Sequence, residues 1–347
     1  MSIHSIDPLS HQGWDRFVTG HPRASAFHRQ GWLRALSETY GYKPVFLTAG
    51  SLGKGLEGGL LLCRVSSWMT GERLVSLPFA DHCEPLLHDP DEYRGVADWL
   101  RDTCAEQGWK YVELRSLLPG WGETEGWYAT HQYWLHELDI TPRLENVFHA
   151  MHRDCMQRRI LHAERARLSY EVGRSPQLAE DFYNLVLITR RRHQLLPQPK
   201  AWFRNLVKHM GDSLQIRLAR KDGIPVGAIL TLQHGSSVIY KYGCSDARFH
   251  NLGTMPFLFW RLIEESKQQG IRNMDLGRSD LEGKGLITFK DRIGASKRLL
   301  SYRRCQKAGV PAESARNWDF QAFGKLFSIL PDGISSTAGA IIYRHIG

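Results

Sequence analysis

Apolar periodicity changes in the same order twice along this chain, and that repetition limits the fold more than any single motif. From Gln12 to Leu138 the pattern reads helix, helix, three strands, helix, two strands. It reads the same from Ser175 to Arg304. Helical spacing marks Gln30–Tyr40, where Trp32, Leu33, Leu36 and Tyr40 share a side. It recurs at Glu92–Gln107, stopped by Gly108, and at Thr254–Gln269, stopped by Gly270. Alternation marks strands at Pro44–Ala49, Leu56–Val65, Arg73–Leu77, Leu214–Arg220, Val226–Leu232 and Val238–Cys244. Ser175-Pro176 is an N-cap followed by a first-turn proline. Between the halves, Glu145–Arg165 reads as one basic connecting helix. This order predicts α+β architecture, a mixed sheet with packed helices, twice over. The expected division is 1–144, 145–310 and an amphipathic tail at 311–347. In that tail Phe320, Phe323, Leu326, Phe327 and Leu330 fall at helical spacing, ahead of Ile341, Ile342 and Tyr343.

A length of 347 residues suits two domains of similar size. The chain is 42% hydrophobic and 23% charged, which is the profile of a folded protein in water. Its first residues form no secretory signal, and nowhere does an apolar run approach the roughly 18 residues a spanning helix needs. A cytoplasmic location is expected. Six cysteines are scattered without a CxxC pair, so reduced thiols are expected rather than a disulfide framework, and no metal site. His149 and His152 lack the glutamate of a metalloprotease helix and read as surface residues. The net charge of +9 favours polyanionic partners.

Chemistry concentrates in two stretches. In Tyr240-Lys241-Tyr242-Gly243-Cys244-Ser245-Asp246, then Leu252-Gly253, a strand passes through a polar loop into a helix, whose amides form a natural anion site. Strand alternation puts Tyr240 and Tyr242 on one face, opposite Lys241. In Asp275-Leu276-Gly277-Arg278-Ser279-Asp280, then Gly285-Leu286-Ile287-Thr288-Phe289-Lys290, a strand runs into a polar loop. That loop holds Arg278, Lys284 and Lys290, whose charges suit phosphate or a developing oxyanion.

These runs, in order, resemble the C-terminal half of the FemAB-like (BioF2-like) acetyltransferase group of the GNAT superfamily. Arg190-Arg191-Arg192-His193, Leu196-Pro197, Trp202-Phe203 and Arg158-Arg159-Ile160 match the same group. Leu77-Pro78-Phe79-Ala80-Asp81-His82-Cys83 and Glu113-Leu114-Arg115 extend the likeness over roughly residues 25–305. The resemblance implies two tandem GNAT-like domains and transfer of an acyl or aminoacyl group to an amine, often on a cell-envelope precursor or polysaccharide. The donor would be acyl-CoA, acyl-carrier protein or aminoacyl-tRNA. Arg248-Phe249-His250-Asn251-Leu252-Gly253 departs from the Q/R-x-x-G-x-G/A loop of CoA-binding relatives.

On this resemblance Asp81 and Lys290 are the expected catalytic residues, with Asp81 orienting the acceptor or taking its proton. Arg192, Tyr240, Tyr242 and Arg278 are expected to bind substrate, and Leu252 and Gly253 the donor. Expected partners are a phosphorylated or amine-bearing envelope precursor, tRNA, and the inner-membrane surface through the tail. A basic RNA-binding or scaffold protein on the same fold is the alternative, and a cysteine hydrolase using Cys83 beside His82 is a third reading.

Overall fold

The computed structural model describes residues 3–48, 56–118, 120, 124–306 and 332–346. The first half contains β1 (His4–Ile6), α1 (Trp14–Gly20), α2 (Gln30–Tyr40), β2 (Lys43–Thr48), β3 (Leu60–Ser67), β4 (Gly71–Val75), α3 (Pro90–Glu106), β5 (Tyr111–Ser116) and β6 (Tyr128–Asp139). Then come α4 (Leu144–Ala150), α5 (Arg158–Arg165) and β7 (Ser169–Gly173). The second half repeats the order with one helix, α9, added before the last strand: α6 (Pro176–Arg192), α7 (Lys200–Met210), β8 (Leu214–Lys221), β9 (Ile224–His234), β10 (Ser237–Ser245), α8 (Thr254–Gln268), β11 (Asn273–Asp280), α9 (Lys284–Ile293) and β12 (Ser296–Gln306). A last helix, α10, spans Asp332–Ile346.

These elements form two compact units. Of the described residues, 3–133, 299–306 and 340–346 belong to the first, and 134–298 with 332–339 to the second. In the first, β1, β2, β3 and β4 pair antiparallel in sequence and β5 joins β4 in parallel. In the second, β7, β8, β9 and β10 pair antiparallel and β11 joins β10 in parallel. The halves exchange a strand. β5 pairs antiparallel with β12, from the C-terminal half, and β11 neighbours β6, from the N-terminal half. The corresponding long helices supply the corresponding cores. Val96, Ala97 and Leu100 of α3 pack on Leu62, Leu74 and Val112. Phe257, Phe259 and Ile263 of α8 pack on Val226, Ile229 and Met274.

The connecting helix is broken rather than continuous. Met151 is extended, and the His152 ring accepts from the N–H groups of Asp154 and Cys155 at 3.2 and 3.3 Å, so the helix restarts there as a π-helical turn, Arg153–Gln157. The expected polar loop after β11 is instead α9, closed by Gly294 in the left-handed region at φ 96°. Of the tail, residues 320–330 lie outside the described residues. The end of α10 docks on the first unit: Arg73 Nη2 and Thr70 Oγ1 both donate to the carbonyl of His345, at 2.7 and 2.8 Å.

Candidate functional site

In the second unit the parallel strands part. β10 pairs with β11 only at Ser237–Asn273, Val238–Met274 and Ile239–Asp275. Beyond that point β10 runs on to Ser245 and β11 to Asp280. Both strands carry an irregularity where they separate. The β9 register shifts between Tyr240 and Tyr242, a bulge. On β11, Gly277 turns left-handed at φ 72°, its N–H donating to Asp275 Oδ1 at 2.7 Å.

The bulge corrects the one-face expectation for the two tyrosines, because the extra residue breaks the alternation. The Tyr240 ring packs tilted at 58° on Phe259 of α8, centroids 4.7 Å apart, and the Phe259 ring lies 5.4 Å from Phe289 of α9. Tyr242 accepts a hydrogen bond from Trp202 Nε1 at 2.9 Å and meets Phe203 of α7. A Cβ at Gly243 would fall 1.9 Å from the Tyr240 hydroxyl, so glycine is what lets that ring lie along the strand.

Lys290, on α9, is 1% exposed and donates from Nζ to the carbonyls of Gly277 at 2.8 Å and Arg278 at 3.0 Å. Both acceptors lie in the stretch of β11 that has left β10. The ammonium thus ties the parted strand, as a buried cation must be tied to polar partners. His136 on β6 is fully buried nearby, 3.4 Å from Asp291. Burial, then the charge of Lys290, holds its pKa below the usual histidine value.

A cavity of about 610 Å³ opens at the start of α8, lined by Ser245, His250, Gly253, Thr254 and Met255, by Arg159 from α5, and by Gly285, Phe289 and Arg292 from α9. The first two amides of α8 have no acceptor within the helix, and the third residue is Pro256. Thr254 Oγ1 is buried without a hydrogen-bond partner among the described residues. These donors, with Arg159 and Arg292, suit a phosphate-bearing donor. Gly253 lines the cavity, but its glycine identity serves packing: φ is 75° and a Cβ would sit 2.5 Å from the Arg159 carbonyl. Leu252 packs against the α8 core.

Arg192 contacts two of the lining residues. It donates to the Ser245 carbonyl at 3.2 Å and to His250 Nε2 at 3.1 Å. Ser245, His250 and Thr189 carry this arrangement and were absent from the residues expected from sequence. In the Q/R-x-x-G-x-G/A pattern the first glycine position is Asn251 here, and His250 falls on an unspecified position, so the motif carried no sign of it. Arg278 contributes its carbonyl to Lys290. The remaining expected residue, Asp81, belongs to the first unit, in the loop between β4 and α3, where Tyr302 donates to its carbonyl at 2.6 Å. The neighbouring Cys83 is buried beside His28, Sγ to Nε2 3.4 Å, and burial pushes its thiol far up, which disfavours a thiolate nucleophile.

Parallel strands that part beside a helix N-terminus, as β10 and β11 do before α8, are the mark of a GNAT-type fold. Residues 150–290 match the family described as acetyltransferase (GNAT) domain. Among solved structures, FemX aligns with a TM-score of 0.68 at 13% identity, covering 87% of this chain and 97% of its own. The C-terminal domain of a putative lysylphosphatidylglycerol synthetase from Agrobacterium fabrum aligns at 0.56 and 13% identity, covering 87% and 92%. A tandem GNAT protein from the clavulanic acid biosynthesis pathway aligns at 0.55 and 10%, covering 89% and 99%. Identities this low carry the fold; the acyltransferase class rests on the domain match. A search of curated proteins returns no match. The described residues include no helix long and apolar enough to cross a membrane.

Proposed function

We propose that this chain moves an acyl or aminoacyl group from acyl-CoA, acyl-carrier protein or aminoacyl-tRNA to an amine on a phosphorylated cell-envelope precursor or polysaccharide, at the cytoplasmic face of the inner membrane. The observation that carries this reading is the parting of β10 from β11 with the Lys290 ammonium on the parted carbonyls, beside the α8 cavity. Arg159, Arg292, Thr254 and the first amides of α8 hold the donor's phosphates. A thioester or ester supplies the activated carbonyl. Holding it beside a neutral amine accounts for most of the acceleration. The fixed field of Lys290 favours negative charge as it grows on the carbonyl oxygen. Arg192 clasps a phosphate of the acceptor; Asp81, in the first unit, is proposed separately as a residue that orients an amine. The neighbour named as a lysylphosphatidylglycerol synthetase supports an aminoacyl donor and a phosphate-bearing acceptor.

The test offers the purified protein radiolabelled acetyl-CoA, acyl-carrier protein and aminoacyl-tRNA in turn, with an envelope-precursor extract. Transfer of label to an amine is expected from one donor class. Hydrolysis without any acylated amine would remove the transferase reading.

A further inference from the structure

The C-terminal end of α6 presents a guanidinium whose charge meets no carboxylate among the described residues. Arg192 Nη1 donates to the Ser245 carbonyl at 3.2 Å and His250 Nε2 at 3.1 Å; Nη2 donates to His193 Nε2 at 3.3 Å. A guanidinium has only donors, so each Nε2 must hold a lone pair and each ring must be neutral, with its proton on Nδ1. Ser245 Oγ, 3.0 Å from the same His250 nitrogen, is then the donor of that pair. Ser245 is itself fixed at both backbone groups by Thr189, whose hydroxyl accepts from its N–H at 2.9 Å and donates to its carbonyl at 3.2 Å.

The charges facing these rings are few. His250 faces Arg192 and Asp246; His193 faces Arg192, Arg190 and His250. The Asp246 carboxylate is already gripped by Arg248 at 2.6 and 2.9 Å. Burial first, then Arg192, hold both histidines below their usual pKa. A carboxylate in their place would orient Arg192 equally well but cancel its charge. Two neutral acceptors orient it and leave the charge for a ligand.

We infer that His193 and His250 are positioning residues for an anion site on Arg192 that takes a phosphate-class group. This rests on reading Arg192 as the phosphate contact. An anion site held this way needs both rings neutral, because a protonated Nε2 cannot accept from Arg192, so binding favours the neutral rings and lowers both histidine pKa values. By linkage, affinity is full above the histidine pKa of the ligand-free protein and declines as pH falls through it.

The experiment uses the full chain and sulfate, a tetrahedral anion that keeps its charge between pH 8 and 5.5, unlike phosphate. Side-chain NMR titration of the histidines is expected to show both pKa values falling with sulfate, and affinity weakening severalfold from pH 7.5 to 5.5. His250→Ala should weaken sulfate about tenfold at pH 7.5, the size expected for one lost hydrogen bond to a charged group. His250→Gln, which restores an acceptor without titrating, should recover affinity at pH 7.5 but lose part of the pH response. If Arg192→Ala binds sulfate as the wild type does, the phosphate reading of Arg192 falls. If Arg192→Ala loses binding while the His193 and His250 variants keep both affinity and pH response, the positioning inference alone is overturned.

Discussion

The loop after β4 and the loop after β10 occupy the same place in the two units, each following the strand that pairs in parallel with the next. They treat that place in opposite ways. In the first unit the loop closes back on β5. Ser76 N–H donates to the Glu113 carbonyl at 2.8 Å, Cys83 N–H to the Arg115 carbonyl at 2.7 Å, and Glu84 collects His82, Ser116 and the Leu117 amide. Beneath it, Glu113 is 2% exposed between Arg115 and Arg304, at 2.7 and 2.6 Å. In the second unit the parted carbonyls are met by one side chain, Lys290, and a cavity remains. The difference teaches that one fold can either fill this opening with its own polar network or keep it for a ligand. Cation-binding carbonyls and bare amides accompany the open choice.

Breaking the closed side should have the largest effect. Glu113→Ala leaves two arginines buried without their carboxylate, and such losses cost about 3–5 kcal/mol. Chemical denaturation should show it. Burial would raise the Glu113 pKa, but Arg115 and Arg304 overcome it and hold the value at about 2. The sign follows: a depressed carboxylate stabilises the fold above its unfolded pKa of about 4.3, and that stability is lost as pH falls toward about 2. The contribution is on the order of 3 kcal/mol. Acid unfolding that is the same in wild type and Glu113→Gln would show that this network does not hold the loop shut.

On the open side, Lys290→Met should lower kcat/KM by about thirty- to a thousand-fold, equivalent to about 2–4 kcal/mol. It also leaves the Gly277 and Arg278 carbonyls without their donor, so stability must be measured alongside. Lys290→Arg, which retains charge, should recover the fold before it recovers rate. Wild-type kinetics from a folded Lys290→Met protein would move the chemistry elsewhere.

The bulge is the next lever. Gly243→Ala drives a methyl into the Tyr240 hydroxyl, and overpacking of this kind costs about 1–3 kcal/mol. Tyr240→Phe removes the nearest clashing atom, so the double variant should be more stable than the sum of the singles predicts. Strict additivity would mean that the two residues do not meet across the bulge.

What sequence reading could reach divides along the same line. Helix α2 and the start of α8 are local: an apolar stripe, and a glycine at the stop, mark their ends. The exchange of β6 and β12 leaves no local trace, because either strand alternates the same way whichever neighbour it pairs with. β1 and β7 are three and five residues long and half exposed, too short for a pattern. Helix α9 was hidden because Gly285, Thr288 and charged residues surround its few apolar positions. The bulge at Tyr240 reverses a face assignment that periodicity alone would make. Lys290 and Arg192 were visible as residues, but their partners are carbonyls and neutral histidines that only three-dimensional proximity supplies.

The smallest expected effect tests whether the closed loop also serves the acceptor. Asp81 is held by its backbone carbonyl, which Tyr302 reaches from β12. Asp81→Asn keeps that carbonyl and nearly the same volume, so stability is measured alongside the kinetics to separate folding from binding. If the carboxylate orients the acceptor amine, the loss falls on binding and proton handling. The acceptor KM should rise about three- to tenfold, the size of one hydrogen bond, with donor KM unchanged. Tyr302→Phe supplies the contrast. It removes the grip on the carbonyl while leaving the carboxylate intact, so it should lower stability by about 1 kcal/mol and raise acceptor KM only through looser positioning. Equal kinetics for Asp81→Asn and wild type, with Tyr302→Phe destabilised, would make this loop a purely structural closure and place acceptor recognition wholly on other residues.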